Sequence, residues 1–495
     1  MAIIFKKDAI MKMINSDNFI NGQWVKGNGE VRKIHSPHNG EVIGEVSFPD
    51  DDQIHQAIEL AQKAQVLWGQ KTHKQRAQLL FQVRTALLDN FDLISQVKSS
   101  ESGKTLAEGK AGLAKGIEVL EFALSLQNLD SGSKMQVSQG VNCEYRREAL
   151  GVVASITPFN FPAMVPLWTI PISLALGNAM VWKPSEKTPL TAQLIADAFK
   201  QAGLPAGLLT VLHGQEQTVQ KIIENPHVKA VSFVGSTNIA RKIYHMASLQ
   251  DKRVLALGGA KNPIILLPDH NLELTAQAIT DSFTGCAGQR CMAASLLLNV
   301  GQNQKTIQEI KACAQKIQLA EQMGAIISSE QLNFLQKAID QAVAEGAELL
   351  LDGREAKAPK GMEKGNWIGP TILNKVNPAS HAATTELFGP ILSIIDCPDL
   401  SSALQIENNI PYGNACSVFT SNGAMAEKVA QNAKAGMVGV NVGVPVPREP
   451  FSFAGIADSK FGHGEITGEQ SLDFWSNTKK VTTKWEKQTQ SDWMS

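Results

Sequence analysis

The residue best suited to covalent chemistry is Cys291, which ends the run FTGCAGQRC at 283–291. Gly288 permits an unusual turn or a close backbone approach just before the thiol. Arg290 beside the sulfur could favour the thiolate, the form of cysteine that attacks carbonyl groups, since a free thiol titrates near ~8.5. Most cysteines, however, are small buried hydrophobic residues. Cys291 is therefore a candidate nucleophile whose role depends on its surroundings.

Two further segments carry side chains suited to carbonyl and sugar chemistry. In TPFNFP (157–162), Asn160 lies between aromatic residues, where its amide could donate to an oxyanion. A buried asparagine that satisfies a loop carbonyl is the ordinary alternative. In ELFGP (386–390), Glu386 could hold a ribose while Phe388 packs on a flat ring. The alternative there is a surface acid beside a core phenylalanine.

Another segment could bind the phosphates of a dinucleotide. SFVGSTNIAR (232–241) runs from a strand through Gly235 into the start of a helix. The exposed N–H groups of that helix, with the hydroxyls of Ser236 and Thr237, suit a pyrophosphate. Serine and threonine also cap helices that bind no ligand, so this segment is a weak signal when it is taken alone.

The run KPSE at 183–186 closes a predicted strand at the same edge of the sheet. Lys183 and Glu186 could grip ribose hydroxyls there. The carboxylate of Glu186 would repel a 2′-phosphate, which favours NAD over NADP. A solvated strand end with no ligand is the alternative interpretation.

Strands alternate with helices from residue 150 onward, an order typical of parallel, doubly wound α/β sheets. The first series predicts strands at 150–158, 179–184, 208–214 and 229–235, and helices at 163–176, 188–202, 215–224 and 236–248. The second predicts strands at 263–268, 347–353, 415–421 and 437–443, and helices at 271–284, 329–346 and 423–434. No GxGxxG run follows the first strand, so a pyrophosphate would have to bind elsewhere.

Two regions lie outside the alternating series. Residues 51–128 predict successive amphipathic helices, because apolar side chains recur there at helical spacing. The tail at 471–487 interleaves apolar and polar residues and predicts an exposed strand. Such a strand usually pairs with another strand, often one from another subunit.

Length and composition restrict the class of protein. The 495 residues predict two or three domains, and a net charge of −1 argues against a nucleic-acid or anionic-membrane partner. The six cysteines have no CxxC or Cys/His ligand spacing, which favours reduced thiols and predicts no metal site. No apolar stretch reaches the ~20 residues that a bilayer requires, and the N-terminus lacks a secretion-signal pattern. A soluble cytoplasmic protein is therefore predicted.

The motifs ITPFNFP, VWKPSEKTPL, SFVGST, LGGAKNP, AGQRC and ELFGP occur in an order that resembles the aldehyde dehydrogenase superfamily, from about residue 18 to the C-terminus. Four segments resemble one family within it more closely, at 158–168, 259–262, 287–293 and 440–455. That family is the methylmalonate-semialdehyde dehydrogenases, the CoA-acylating branch, which also accepts malonate semialdehyde.

This resemblance implies a three-part architecture. Two doubly wound parallel-sheet domains, one for NAD binding and one for catalysis, would be joined by a small β flap for oligomerisation. The implied ranges are 1–127 and 148–255 for NAD binding, 256–455 for catalysis, and 128–147 with 470–495 for oligomerisation. A homodimer or homotetramer is expected.

The resemblance also implies a role for each candidate residue. Cys291 would add to the aldehyde, Asn160 and the Cys291 backbone N–H would stabilise the oxyanion, and hydride transfer to NAD⁺ would leave a thioacyl-enzyme. The implied NAD-binding residues are Lys183 and Glu186 on the adenosine ribose, Gly235 and Ser236 on the pyrophosphate, Glu386 and Phe388 on the nicotinamide ribose, and Phe159.

The step that follows acylation separates hydrolytic from CoA-dependent members. Hydrolytic members carry a glutamate in an E-L-G-G motif, and this chain reads A-L-G-G with Ala256 at that place. A methyl group cannot act as a base. The missing base agrees with the CoA-acylating branch, and the resemblance implies propionyl-CoA or acetyl-CoA as the products, with loss of CO₂, as in valine catabolism. The alternatives are a hydrolytic dehydrogenase with another base, such as Glu386, and a catalytically silent binding protein.

Two arginines are thought to hold the substrate carboxylate in this family. Arg290 matches one of them, and Lys115 stands where the other is expected. Lysine keeps the charge but loses the planar fork that suits a carboxylate. Pro263 replaces a usual histidine and Ala240 a common glycine. These departures leave the reaction class unchanged and the preferred semialdehyde open.

Overall fold

The structure is a computed structural model that describes residues 14–485. The predicted NAD-binding and oligomerisation segments begin and end beyond this range, so their parts at 1–13 and 486–495 lie outside the described residues. None of the helices described within 14–485 is both long and apolar enough to cross a membrane.

The strands and helices follow in chain order. The strands are β1 (Ile14–Ser16), β2 (Asn18–Ile20), β3 (Gln23–Val25), β4 (Val31–His35), β5 (Val42–Ser47), β6 (Ser133–Ser138), β7 (Val141–Ala149), β8 (Val152–Ile156), β9 (Ala179–Lys183), β10 (Leu209–Val211), β11 (Val228–Val234), β12 (Arg253–Leu257), β13 (Asn262–Leu266), β14 (Ala294–Val300), β15 (Glu348–Leu351), β16 (Thr371–Asn374), β17 (Ile391–Cys397), β18 (Tyr412–Gly413), β19 (Ala415–Phe419), β20 (Met437–Val440), β21 (Ile456–Ala457), β22 (Lys460–Gly462) and β23 (Ser476–Lys484). The helices are α1 (Asp51–Gly69), α2 (His73–Asp89), α3 (Phe91–Ser102), α4 (Leu106–Leu129), α5 (Met164–Ala175), α6 (Pro189–Gln201), α7 (Glu216–Glu224), α8 (Thr237–Ser248), α9 (Leu272–Thr284), α10 (Gln304–Gln315), α11 (Ser329–Ala344), α12 (His381–Thr384), α13 (Leu400–Asn409), α14 (Gly423–Asn432) and α15 (Ser471–Trp475).

The first large sheet has eight strands in the order β22-β12-β11-β8-β9-β10-β2-β3. Its central strands, from β12 to β10, are parallel, while β22 and β2 join the edges in antiparallel fashion. All residues of β8 and β9 are buried, as expected for parallel strands that helices cover on both faces. The predicted doubly wound sheet is confirmed.

The second large sheet has seven strands in the order β15-β16-β17-β14-β13-β19-β20. Six of these strands pair in parallel, and β15 is the antiparallel edge. The predicted α/β character of this region is confirmed. Strands β14 and β17, for which no strand is predicted from the sequence, form the centre of the sheet.

A small antiparallel sheet is formed by β23, β7 and β6. The predicted tail strand is therefore present, and it pairs with β7 of the same chain along its whole length, from Ser476 opposite Ala149 to Lys484 opposite Val141. Its predicted contact with another subunit stays a prediction.

The edge of the first sheet at the carboxyl ends of its parallel strands collects the candidate residues. The chain leaves β8 toward Asn160, β9 at Lys183, β11 toward Gly235, and β12 toward Gly259. Because parallel strands end on the same side, these segments meet at one edge, where α/β sheets usually bind ligands. Strand β12 spans the predicted domain boundary at 255/256, and the division of roles between the domains stays a prediction.

Candidate active site

A cleft of about 670 Å³ lies at this edge of the first sheet and extends to segments of the second. Nine of the predicted site residues line it: Phe159, Asn160, Lys183, Glu186, Gly235, Ser236, Cys291, Glu386 and Phe388. Their positions along the chain span more than two hundred residues, so only the packing of the two sheets brings them together.

The backbone before the candidate nucleophile is left-handed at three consecutive residues. Cys286, Ala287 and Gly288 have φ values of 56°, 52° and 67°. Such angles suit glycine but strain residues that carry a Cβ, and strain of this kind persists where the surrounding structure enforces it. A Cβ at Gly288 would lie 2.1 Å from the carbonyl oxygen of Gly389, so this close approach requires glycine.

Side-chain amides hold the residue that carries the thiol. Asn262 Nδ2 donates to the Cys291 carbonyl at 2.7 Å, and Asn414 Nδ2 donates to the same oxygen at 2.9 Å. The buried amide of Gln289 accepts from Ile327 N at 3.0 Å and donates to the carbonyl of Ala325. These bonds fix the nucleophile loop from three directions.

The position of Asn160 is compatible with both roles considered from its sequence, the satisfaction of a loop carbonyl and donation to an oxyanion. Its side chain is 5% exposed, and Nδ2 donates to the carbonyl of Gln289 at 3.0 Å. A primary amide has two N–H donors, so one remains for an oxygen in the cleft. Asn160 thus satisfies a loop carbonyl and can also serve as an oxyanion donor beside Cys291.

The environment of Cys291 holds its thiol in the protonated form. Burial, followed by the negative charge of Glu386, raises the pKa of the Cys291 thiol to about 12. Arg290 and Lys104 act in the opposite direction. The thiolate is therefore the minority form at neutral pH in this state.

Glu386 lies close to the chain after β12. Its Oε1 accepts from Ala260 N at 2.9 Å, and burial raises its pKa to about 7. The following residues are held by Gln331, whose amide donates to the carbonyls of Leu387 at 2.8 Å and Phe388 at 3.3 Å. Phe388 itself has a φ of 55°, a rare value for an aromatic residue.

The other end of the cleft contains an ion pair at the end of β9. Lys183 Nζ lies 3.5 Å from a carboxylate oxygen of Glu186. Burial lowers the pKa of Lys183, and Glu186 partly offsets this effect. Two polar side chains that face one cleft at the end of a strand are suited to ribose hydroxyls.

Helix α8 begins in the same cleft, immediately after Gly235. Ser236 precedes the first turn and makes no capping hydrogen bond with its side chain, which leaves its hydroxyl available. Thr237 differs, since its hydroxyl donates to the carbonyl of Asp458 at 3.0 Å and accepts from Gly259 N at 2.8 Å. The free N–H groups of the helix start therefore face the cleft with one serine hydroxyl, an arrangement that suits a phosphate.

The aromatic residues of the cleft pack on each other across the two sheets. The rings of Phe159 and Phe388 are 5.9 Å apart in an edge-to-face arrangement. Lys187 Nζ lies 5.5 Å from the centre of the Phe159 ring. Phe159 therefore forms part of the wall between the end of the cleft at Cys291 and the end at Lys183.

Neither predicted carboxylate-binding residue is among the described residues that line the cleft. Arg290 Nη2 donates to the carbonyls of Asp281 and Ser282, at 2.5 and 2.8 Å. Lys115 Nζ donates to Glu118 at 3.0 Å and lies 3.3 Å from Glu449. Their assignment to a substrate carboxylate stays a prediction.

Ala256 also lies outside the cleft. It is a fully buried residue of β12, paired with Phe233 on one side and Phe461 on the other. Among the described residues, the carboxylates that do line the cleft are Glu186, Glu216 and Glu386. These three carboxylates are therefore the candidates for a general base in the cleft, and the methyl group at position 256 does not decide between them.

Several residues that position the site were not predicted from the sequence. Asn262 ends the GAKN segment at 259–262, so its motif could be recognised although its role could not. Asn414 and Gln331 stand in no recognisable motif, because their function depends on carbonyl groups far away in the chain. A thiol, an amide donor and a buried carboxylate at one end of a cleft, with an uncapped helix start at the other, suit dinucleotide-dependent chemistry on a carbonyl group.

The chain belongs to the aldehyde dehydrogenase family, whose profile matches residues 24–481, and it is an enzyme of this type. It is 36% identical over 481 residues to malonate-semialdehyde dehydrogenase 1 of Geobacillus kaustophilus, covering 95% of this chain and 97% of that relative. The superfamily and the narrower resemblance read from the motifs are thereby confirmed.

Solved structures agree with this assignment. A Sinorhizobium meliloti protein described as a methylmalonate-semialdehyde dehydrogenase, complexed with NAD, has a TM-score of 0.94 and 35% identity, covering 96% of this chain and 99% of that one. Methylmalonate-semialdehyde dehydrogenase from Oceanimonas doudoroffii has the same TM-score of 0.94 at 33% identity, with coverage of 96% and 99%. The aldehyde dehydrogenase fold is thus confirmed.

Proposed function

We propose that the chain is an NAD-dependent, CoA-acylating dehydrogenase of malonate or methylmalonate semialdehyde. The observation that carries this proposal is the single cleft lined by Cys291, Asn160 and Glu386 at one end and by Lys183 and Gly235 at the other. The substrate class is suggested by the names of the G. kaustophilus and S. meliloti relatives.

Residues along the whole cleft fit a nicotinamide dinucleotide. Lys183 and Glu186 would hold the adenosine ribose, and the start of α8 with Gly235 and Ser236 would hold the pyrophosphate. Glu386, with Phe388 and Phe159 beside it, would receive the nicotinamide ribose. When bound, NAD⁺ supplies the acceptor for the hydride of the aldehyde carbon.

At the thiol end, the thiolate of Cys291 would add to the aldehyde carbon. The resulting oxyanion would accept hydrogen bonds from the second N–H of Asn160 and from the Cys291 backbone N–H. Loss of hydride leaves the acyl group on sulfur as a thioester. The thiolate of CoA would then attack this carbonyl, and the Cys291 thiolate would leave with the electrons of the broken C–S bond.

A substrate with a β-carboxylate can also lose CO₂ at this stage. The bond to the carboxyl carbon breaks, its electrons pass to the thioester carbonyl, and the resulting enolate takes up a proton from solvent at its α-carbon. The product would be propionyl-CoA from methylmalonate semialdehyde and acetyl-CoA from malonate semialdehyde. Arg290 and Lys115 would bind the carboxylate. Arg290 would first have to release a backbone carbonyl, and Lys115 would have to release a glutamate side chain.

The proposal extends to assembly and location. A homodimer or homotetramer could form through the three-stranded sheet, because β6 leaves one edge of that sheet without a neighbouring strand among the described residues. The enzyme would work in the cytoplasm, in valine catabolism.

Hydrolysis is a second candidate for the release of the acyl group. It is favoured by Glu386, which lines the cleft and whose pKa of about 7 is suited to a general base at neutral pH. This route would yield a free acid, so the products of the reaction distinguish the two candidates.

An assay of NADH formation tests both candidates. We expect rapid NADH formation from malonate or methylmalonate semialdehyde only when CoA is present, with acyl-CoA as the product and succinate semialdehyde as a poorer substrate. Rapid turnover to free acid without CoA would contradict the acylating proposal and support hydrolysis.

The matched control for this assay is Cys291→Ser, which keeps the size and removes the strong nucleophile. Its NADH formation should fall by at least about a thousandfold, while NAD binding is retained. Full activity in this variant would show that the nucleophile is another residue.

A further inference from the structure

Two lysines are buried behind the nucleophile loop. Lys98 in α3 is 0% exposed, and Lys104, in the turn between α3 and α4, is 3% exposed. Lys98 Nζ donates to the carbonyl of Gly109 at 3.1 Å, whereas Lys104 Nζ has no hydrogen-bond partner among the described residues. A buried ammonium group without a carboxylate partner is costly, and such groups are concentrated at functional sites.

The amine of Lys104 lies against the wall of the cleft. Its Nζ is 4.2 Å from the centre of the Phe161 ring, and Phe161 lines the cleft next to Asn160. The face of an aromatic ring attracts a cation, but it replaces only part of the hydration that burial removes. The Lys104 amine therefore lies behind Phe161, on the side of the cleft that contains Asn160.

Lys98 lies on the same side of the cleft wall. A Cβ built on Gly112 would be 2.2 Å from Lys98 Nζ and 3.6 Å from Cδ1 of Phe161, so the amine and the ring both lie against this helical position. Burial, and then the charge of Lys104, lowers the pKa of Lys98 to about 7. The two ammonium groups thus repel each other.

Three other titratable groups face this pair, namely Glu108, the Cys286 thiol and His38. Glu108 in α4 is the facing carboxylate, and its oxygens already accept from Cys286 N at 2.5 Å and Thr105 N at 3.0 Å. His38, from the turn between β4 and β5, contributes little charge because burial lowers its pKa. Two amines therefore face one carboxylate, which is already bonded to the backbone N–H groups of Cys286 and Thr105.

We propose that Lys98 and Lys104, the buried lysine pair, are positioning residues that stabilise the thiolate of Cys291 across the Phe161 ring and the nucleophile loop. The S–H bond of Cys291 breaks, the electron pair stays on sulfur, and the proton leaves to solvent. This inference rests on the proposed role of Cys291 as the nucleophile.

The charged groups around Cys291 are compatible with stabilisation of its thiolate by Lys104. Burial and Glu386 disfavour the thiolate, while Arg290 and Lys104 favour it. The Arg290 guanidinium is already bonded to the carbonyls of Asp281 and Ser282. Lys104 is the opposing cation whose charge is not taken up by a hydrogen-bond acceptor among the described residues.

Alkylation of Cys291 by iodoacetamide in the full-length protein, followed between pH 6 and about pH 9, tests the proposal because only the thiolate reacts. Lys104→Met should shift the rate profile toward higher pH by about one unit, roughly a tenfold slower reaction at a given pH. Lys104→Arg should restore most of the rate. Lys110→Met is the matched control, since Lys110 is an exposed lysine of α4 paired with Asp92.

Lys98→Met provides a second variant with a different signature. Because the pKa of Lys98 is about 7, its charge is present below that pH and lost above it. Lys98→Met should therefore slow alkylation below pH of about 7 and leave it unchanged above. Thermal melting of each variant checks that the fold is retained.

Two results would overturn the proposal. One is a Lys104→Met profile that coincides with that of the parent protein, and the other is equal slowing by Lys104→Met and Lys104→Arg, which would indicate lost packing. The assay needs no aldehyde, NAD or CoA, and Cys291→Ser identifies the labelled site. Its outcome is therefore separate from the outcome of the semialdehyde assay.

Discussion

The two ends of the cleft are built in different ways. At the ribose end, Lys183 and Gly235 stand where parallel strands β9 and β11 finish, and α8 starts immediately afterwards. At the thiol end, Cys291 follows three left-handed residues and is held by amides from Asn262 and Asn414. Regular secondary structure places the first set, whereas individual side-chain hydrogen bonds place the second.

This difference predicts different sensitivities to substitution. The bonds at the thiol end join residues 129 positions apart, for Asn160 and Gln289, and 123 apart, for Asn414 and Cys291. The first bond therefore depends on the packing of the two large sheets against each other, and the second on strands β14 and β19 of the second sheet. Changes at the thiol end should lower kcat, while changes at the ribose end should mainly raise the KM for NAD.

Among the substitutions that test this comparison, the largest effect is expected for Asn160→Ala. This change removes the proposed oxyanion donor and the anchor of the Gln289 carbonyl, so kcat/KM for the aldehyde should fall by ~10²–10³. Steady-state NADH formation measures it, and NAD affinity measured by calorimetry should stay within about twofold. Nearly normal turnover would mean that the oxyanion is stabilised by other donors.

The next effect concerns the two amides that share the Cys291 carbonyl. Asn414→Ala and Asn262→Ala should each lower kcat by about tenfold, because either remaining amide still holds the oxygen. The double variant should be worse than the product of the single effects. Strict additivity in this double-mutant cycle would show that the amides act independently of the shared carbonyl.

At the ribose end, Gly235→Ala should raise the KM for NAD by about tenfold and change kcat by less than about twofold. The new Cβ would lie 2.5 Å from the Phe233 ring, which lines the cleft and would have to move. Gly423→Ala is the matched control, since no atom lies within 4 Å of its Cβ position. A fall in kcat with an unchanged KM for NAD would contradict the expected difference between the two ends of the cleft.

The smallest effect is expected for Glu386→Gln, and it depends on pH. The pKa of Glu386 is about 7, so its negative charge is absent well below that pH and present above it. That charge raises the pKa of the Cys291 thiol. Alkylation of Cys291 should therefore be a few-fold faster in the variant above pH of about 7 and equal to that of the parent protein below. A uniform change at all pH values would point to altered packing.

Elements with a clear buried face could be predicted from the sequence. Helix α8 and strands β8, β9 and β11 lie within one or two residues of their expected ends. The hairpin of β6 and β7 was expected only from the resemblance, as part of the β flap at 128–147. Periodicity could not predict it, because its residues are exposed or half-buried and show no alternation between the two faces. The alternation of apolar and polar residues reflects burial of one face of a strand. A sheet that buries neither face therefore has no such alternation in its sequence.

The candidate site divides in a similar way. Cys291, Asn160 and Glu386 could be recognised because each stands in a short motif with a chemical purpose. Gln331 and Lys104 could not, since a glutamine that holds two carbonyl groups and a lysine that lies on a ring look like ordinary surface residues until their neighbours are known.

The sequence by itself determined the family, the order of the α/β elements and the identity of the residues that can act on a carbonyl group. Only the tertiary structure decided which charges face the thiol. It turned Arg290 toward the end of α9, paired Lys115 with Glu118 and buried Lys104 behind Phe161. The physical reason is that the orientation and hydration of a charged side chain depend on partners distant in sequence, which no local pattern records.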